Sequence, residues 1–90
     1  MARYSLRIKQ SAVKEIEAVD RKADRRRIVA MIQALAEEPR PSGAEKLSGH
    51  NDRYRVRQGN FRVVYSIDDA HRIVLSVKVG HRRDIYRSSV

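Results

Sequence analysis

Arginine alternates with apolar residues on both sides of a Gly-Asn pair in residues 52–65, DRYRVRQGNFRVVY, and this stretch constrains the fold most. Alternation with a period of two is typical of β-strands, because successive side chains point to opposite faces of a sheet. Gly59-Asn60 suits a two-residue hairpin turn, whereas a three-residue turn would mix charged and apolar side chains on both faces. One face of the hairpin is then apolar and the other carries arginines. The predicted register pairs Gln58 with Phe61, Arg57 with Arg62, Val56 with Val63, Arg55 with Val64 and Tyr54 with Tyr65.

A further strand is predicted over residues 72–79, after a turn at 68–71. Alternation again sets the expected register, because a continuous apolar face has to pack on a core. This register places Lys78 opposite Arg62, on the arginine face with Ser76, and brings Gly80 beside Asn60. It pairs Ile67 with Ile73, Tyr65 with Leu75, Val63 with Val77 and Phe61 with Val79.

The N-terminal half predicts a strand followed by two helices. YSLRIK at 4–9 alternates apolar and polar residues, and apolar residues at helical spacing follow within 11–38. We expect Ser11 to cap the first helix, a break near Asp20, and Pro39 to stop the second helix. The predicted fold is α+β in one domain, residues 1–90. An N-terminal strand and a two-helix hairpin pack on a largely antiparallel four-stranded sheet, with a short C-terminal segment.

The net charge of the chain indicates which class of molecule it binds. The chain carries 20 Lys+Arg against 11 Asp+Glu, for a net charge of +9. Arginine, which dominates the basic residues, suits planar recognition of phosphate, so nucleic acid is the expected partner. Cysteine is absent, which fits a cytoplasmic protein, and we expect no membrane span, no signal peptide, no metal and no cofactor. The run Arg25-Arg26-Arg27 reads by itself as a solvated helix face.

The predicted register concentrates charge at the turn end of the sheet. Arg57 and Arg62 lie opposite one another, and the sequence HRR at 81–83 leaves the last strand beside them. Directly opposed like charges cost up to about 1 kcal/mol, so their retention indicates an anion site. The alternative is that the arginines splay into solvent or pair with acidic residues. The candidates for that pairing are Asp52, Asp84 and Glu45.

The motifs resemble the RelE/ParE toxin superfamily of bacterial and archaeal toxin–antitoxin systems. They run from KLSG at 46–49 through GNFRVVY at 59–65 and VGHR at 79–82 to Tyr86. The resemblance implies a RelE-like fold, related to microbial RNases. It also implies a ribosome-dependent mRNA endonuclease that cuts in the ribosomal A site, contacts ribosomal RNA there, and is blocked by a cognate RelB-like antitoxin in an oligomeric complex.

In this class the ribose 2′-OH attacks the adjacent phosphate without a metal, so the protein supplies a base, an acid and positive charge. His81 is the candidate proton carrier because its ordinary pKa lies near neutrality, although a surface histidine after a strand is the competing interpretation. His50 and His71 are expected in turns without a catalytic role. The predicted catalytic residues are Arg57, Arg62, His81, Arg82 and Tyr86. The predicted RNA-binding residues are Arg53, Arg55, Lys78 and Arg83.

Two departures leave alternatives open. Arg55 and Arg57 stand where RelE relatives commonly carry lysine, and arginine keeps its proton, so either His81 is the base or charge stabilisation dominates. Relatives that use a glutamate base make Glu45 a further candidate. A ParE-like toxin that poisons DNA gyrase without nuclease activity, and an inactive relative that binds only antitoxin or nucleic acid, are the competing functions.

Overall fold

The computed structural model describes residues 3–49 and 52–81, and there it shows two helices and a five-stranded sheet. The strand order is β1-β5-β4-β3-β2. β1 runs parallel to β5 and every other neighbouring pair is antiparallel. The predicted α+β class is therefore confirmed. In chain order the elements are β1 (Ser5–Ile8), α1 (Gln10–Glu17), α2 (Lys22–Ala34), β2 (Glu45–Lys46), β3 (Arg53–Gln58), β4 (Phe61–Asp68) and β5 (Ile73–His81).

The strand count differs from the prediction by one, because β2 adds a fifth strand at the edge of the sheet. β2 contains two residues, which pair with Arg55 and Tyr54 of β3. A strand of two residues has no room to show alternation, so its sequence carries no strand signal. The consequence for the site is that Glu45 lies directly beside Arg55.

The boundaries of the two helices agree with the predicted boundaries in part. Lys9 is the N-cap of α1 and its N–H still bonds to the carbonyl of Ser76 in β5, so the chain passes from strand to helix at one residue. The prediction of a Ser11 cap is therefore wrong. The predicted break near Asp20 is confirmed, and α2 ends at Ala34, before the expected stop at Pro39. No helix in the described ranges is long and apolar enough to cross a bilayer.

The core lies between the helices and one face of the sheet. Ile28 and Ile32 of α2 are almost fully buried, and Tyr65 of β4 is completely buried. Burying a side chain of this size contributes about 1.5–3 kcal/mol, so these residues anchor the helices to the sheet. The cluster comprises Ala12, Ile16, Val19, Ile28, Ile32, Leu35, Val56, Val63, Tyr65, Ile67, Val74 and Val79.

The β3–β4 hairpin has the predicted register at every pair, from Gln58 opposite Phe61 to Tyr54 opposite Tyr65. Gly59 has φ +59°, and its neighbour Asn60 does not share this left-handed conformation. A positive φ at the first turn position alone is typical of a type II′ turn, which matches the twist of the flanking strands. Arg57 and Arg62 therefore do lie opposite one another.

The predicted β4–β5 register is wrong by one residue at the turn, and a β-bulge further along the ladder shifts the pairing by one more. Asp68, not Ile67, lies opposite Ile73, and the pairing shifts again between Val64 and Tyr65. Val77 is the extra residue on β5, and a bulge of this kind changes which side chains face the core. The corrected pairs are Ile67 with Val74, Tyr65 with Ser76, Val64 with Lys78, Val63 with Val79, Arg62 with Gly80 and Phe61 with His81.

Candidate functional site

Three predicted site residues lie at neighbouring positions at the turn end of the sheet. Arg57 of β3 lies opposite Arg62 of β4, and Arg62 in turn lies opposite Gly80 of β5. His81 is the next residue along β5 and lies opposite Phe61. The end of β5 lies two positions further along β4 than in the predicted register: one from the pairing at the β4–β5 turn and one from the bulge.

The two opposed arginines differ in exposure. Arg62 is 8% exposed, whereas Arg57 is exposed and its Nε donates to the carbonyl oxygen of Gly59 at 3.1 Å. Arg62 alternates with core residues along β4, which places its side chain on the sheet face away from the helices. Arg57 and His81, by contrast, line a cleft together with residues of α2. A buried guanidinium loses little side-chain entropy when an anion binds, while an exposed one can move to meet it.

His81 lies at the mouth of two neighbouring clefts. Its ring packs edge-to-face on Phe61, with the ring centroids 5.8 Å apart and the planes at 75°. A cleft of about 580 Å³ joins His81 to Arg57, and a second of about 500 Å³ joins it to Glu15 and Lys78. The imidazole of His81 is exposed at both clefts.

Two predicted RNA-binding residues are held by carboxylates. Arg55 Nη2 lies 3.2 Å from Glu45 Oε1, which is one of the pairings that the sequence left open. Lys78 Nζ lies 3.3 Å from Glu15 Oε2, and Lys78 lies opposite Val64 rather than Arg62 as predicted. The predicted placement of Ser76 on the arginine face is also wrong, since its side chain is fully buried opposite Tyr65.

Of the four remaining predicted site residues, only Arg53 lies in the part of the chain that the structure describes. Arg53 begins β3 opposite Ser66 and is partly buried. Arg82, Arg83 and Tyr86 lie outside the described residues, so their contribution to the site stays a prediction. In the described part of the chain no three acidic or histidine residues are grouped so that they could hold a metal ion.

Glu15 was not predicted, yet it joins α1 to the end of β5 beside the site. Its Oε1 accepts a hydrogen bond from the Val79 N–H at 2.8 Å, and its Oε2 meets Lys78. β1 stops pairing with β5 at Ser76, so Glu15 supplies the acceptor that the strand would otherwise have given to Val79. No sequence pattern indicates this contact, because the two residues are 64 positions apart in the sequence.

A second polar cluster lies among Tyr4, Arg40, Tyr54 and Asp69. Arg40 donates to both oxygens of Asp69, at 3.3 and 2.9 Å, and to the Tyr54 hydroxyl at 3.0 Å. The Tyr4 hydroxyl donates to Asp69 at 2.6 Å. Hydrogen bonds from Arg40 and then from Tyr4 lower the pKa of Asp69. These bonds tie the start of β1 and the loop before β2 to the β4–β5 turn, so the cluster is structural.

His71 lies in the β4–β5 turn, as predicted. It is exposed, and its ring Nδ1 lies 2.8 Å from Asp68 Oδ2. The pKa of Asp68 is lowered chiefly by the hydrogen bond from the His71 backbone N–H and then by the ring. His50 lies outside the described residues.

Comparison with known proteins shows the same fold and sequence pattern. A putative RelE-like toxin protein of Escherichia coli is 32% identical over 88 residues, which cover 93% of this chain and 90% of that protein. Toxin RelG of Mycobacterium tuberculosis is 47% identical over 34 residues, which are 38% of this chain and 39% of that toxin.

Solved structures of RelE toxins have the same fold as this chain. The archaeal RelE of the Pyrococcus horikoshii OT3 RelE–RelB complex has a TM-score of 0.78 at 31% identity, covering 91% of this chain and 97% of that one. The isolated E. coli RelE toxin has a TM-score of 0.75 at 26% identity, covering 96% and 94%. Residues 6–86 match the family described as the ParE toxin of type II toxin–antitoxin systems. The chain therefore belongs to this toxin family, within the RelE/ParE superfamily.

Proposed function

We propose that this toxin is a ribosome-dependent mRNA endonuclease, and the convergence of Arg57, Arg62 and His81 at one end of the sheet carries the proposal. Two guanidinium groups on neighbouring strands form a site for a doubly coordinated phosphate. A histidine beside such a site supplies a group that can take up and release a proton near neutral pH. Phosphate binding and proton transfer are what RNA cleavage requires of a protein.

The proposed reaction uses the ribose 2′-OH as the nucleophile. The 2′-oxygen forms a bond to the neighbouring phosphorus and its proton passes to a base, while the bond from phosphorus to the 5′-oxygen breaks and that oxygen takes up a proton. The products are a 2′,3′-cyclic phosphate and a free 5′-OH. Negative charge grows on the phosphate oxygens in the transition state, so fixed cations that strengthen their contact there accelerate the step.

Residue roles follow from exposure and chemistry. Buried Arg62 is the fixed cation, and exposed Arg57 closes on the phosphate from the opposite strand. Neither is a base, since arginine keeps its proton, so His81 carries the proton. Arg55, paired with Glu45, holds the RNA backbone by exchanging that carboxylate for a phosphate. Arg82 adds charge at the phosphate, and Tyr86 orients the hydroxyl or stacks on a base.

Partners follow from the relatives. RelE proteins have been solved in complex with RelB, in the archaeal structure from P. horikoshii and in the intact E. coli RelBE complex. We propose that this toxin likewise forms a complex with a RelB-like antitoxin. Its substrate is mRNA in the ribosomal A site, in the cytoplasm, where the net charge of +9 favours binding among ribosomal RNA phosphates.

A second candidate function is poisoning of DNA gyrase. The family match favours it, because the matched family is described by its ParE toxin. The opposed Arg57 and Arg62 beside His81 favour RNA cleavage, since inhibition of gyrase requires no proton carrier beside a phosphate site. The two candidates predict different damage in cells.

Mapping of mRNA 5′ ends after induced expression separates them. Codon-phased cuts in translated messages are expected for the wild type, whereas DNA damage with intact mRNA would establish the gyrase function. Arg62→Ala should abolish the cuts and the growth arrest, and Arg62→Met should do the same while filling the buried space. Arg7→Ala, an exposed change in the edge strand β1, is the matched control and should leave both unchanged. Unaltered cleavage by a folded Arg62→Met variant would exclude the phosphate role.

A further inference from the structure

The three consecutive arginines of α2 have three different environments. Arg25 is partly buried, and its Nη1 donates to the carbonyl oxygens of Val19 and Asp20, so it holds the turn between α1 and α2. Arg26 lines a groove between the two helices beside Val29. Arg27 lines the cleft that also contains Arg57 and His81. The side chains of these three consecutive arginines therefore contribute to different parts of the surface.

The cleft that Arg27 shares with the candidate site is large enough for part of a nucleic-acid strand. Its volume is about 580 Å³, and the helix side of the cleft lies across from the β3–β4 turn. Three guanidinium groups line it, from Arg21, Arg27 and Arg57, and two carboxylates oppose them, from Asp20 and Asp24. Cationic side chains are therefore in excess along this cleft, which includes Arg57, one of the two proposed ligands of the scissile phosphate.

Arg27 is available for a ligand in a way that Arg25 is not. Its Nη1 lies 4.0 Å from Asp24 Oδ1, and the Arg27 side chain is 67% exposed. An ion pair at this distance and exposure is weak, so a phosphate can displace the Asp24 carboxylate. A guanidinium binds phosphate through two parallel hydrogen bonds, which a loose contact to one carboxylate oxygen does not match.

We propose that Arg27 binds a phosphate of the substrate RNA strand next to the scissile one, so that the strand runs from Arg57 across the α2 side of the cleft. This inference rests on the proposed function, because it extends the same substrate along the protein. The partner is single-stranded RNA rather than folded ribosomal RNA, since the cleft opens directly on Arg57 and His81. Asp24 acts as the competitor that limits the affinity of this contact.

Salt dependence of binding tests the proposal without cleavage. A short fluorescein-labelled single-stranded oligoribonucleotide, 2′-O-methylated throughout so that it cannot be cut, is titrated with the full chain at several salt concentrations. Each phosphate contact to single-stranded RNA contributes about 0.7 to the slope of log K against log salt concentration. Arg27→Gln should lower that slope by about 0.7, and Arg26→Gln, the matched control, should leave it unchanged. Asp24→Asn should increase the affinity.

Equal slopes for Arg27→Gln and Arg26→Gln would overturn the proposal, as would failure of the wild-type chain to bind the strand. Loss of ribosome affinity in Arg27→Gln with unchanged binding of the oligoribonucleotide would also overturn it, and would assign Arg27 to ribosomal RNA. The outcome is separate from that of the proposed function, because the oligoribonucleotide cannot be cut. A chain that binds it through Arg27 but leaves cellular mRNA intact would retain this inference and lose the nuclease.

Discussion

Removal of the Glu15 carboxylate should destabilise the toxin more than any other charge change on α1. Glu15 Oε1 accepts from the Val79 N–H at 2.8 Å, and hydrogen bonds to charged groups contribute about 1.5–3 kcal/mol. The pair with Lys78 is about one-third exposed on both sides, so solvent screening limits it to about 0.2–1 kcal/mol. Glu15→Ala should therefore lower the free energy of unfolding by about 2–4 kcal/mol, out of the 5–15 kcal/mol of a typical domain.

Urea denaturation of a matched set of variants measures this effect. Glu15→Gln keeps an acceptor for Val79 and loses the charge, so it should lower the free energy of unfolding by only about 1 kcal/mol. Glu17→Ala, on the exposed side of the same helix, should change it by less than about 0.5 kcal/mol. Amide hydrogen exchange at Val79 should accelerate in Glu15→Ala and much less in Glu15→Gln. If Glu15→Ala and Glu17→Ala are equally stable, the hydrogen bond from the Val79 N–H to the Glu15 carboxylate does not stabilise the fold as proposed.

Two further changes test the polar groups that hold the loops. Tyr65→Phe removes the hydroxyl that donates to the buried Pro39 carbonyl at 2.7 Å, and should cost about 1–3 kcal/mol in urea denaturation. Burial also raises the pKa of Tyr65 to about 12, so ultraviolet titration should show a tyrosine that ionises near this pH in the wild type and is missing from Tyr65→Phe. The Arg40 hydrogen bond lowers the pKa of Asp69, so its contribution to stability is present above the unfolded pKa, near 3.9, and is lost as the pH falls. Asp69→Asn should therefore weaken the decline of the melting temperature below about pH 4, and an unchanged decline would contradict the assignment.

The sequence predicts the hairpin of β3 and β4 better than any other part of the fold. Val56, Val63 and Tyr65 alternate with arginines over two strands, and Gly59 marks a turn of known length, so pattern and turn agree on one register. These signals were enough to place Arg57 opposite Arg62. The RelE/ParE resemblance rests on the same residues, which is why the family was predictable as well.

The end of β5 was not predictable, for a physical reason. Val74 and Leu75 are adjacent and both apolar, so the alternation pattern fits either of two registers. In the structure, the bulge at Val77 changes the pairing from one register to another part-way along β5. The backbone geometry of a bulge leaves no distinct residue type in the sequence. β2 could not be predicted either, because a strand of two residues is too short to show the alternation of apolar and polar side chains.

We propose that Arg57, Arg62 and His81 act on a phosphate that the neighbouring 2′-OH attacks. The most direct measurement uses purified toxin and ribosomes stalled on an mRNA with a single 2′-deoxynucleotide on the 5′ side of the mapped cut. We expect cleavage of the all-ribose message to leave a 2′,3′-cyclic phosphate, and we expect the 2′-deoxy message to remain intact. Cleavage of the 2′-deoxy message, or a 3′-hydroxyl end on the product, would contradict the proposed mechanism.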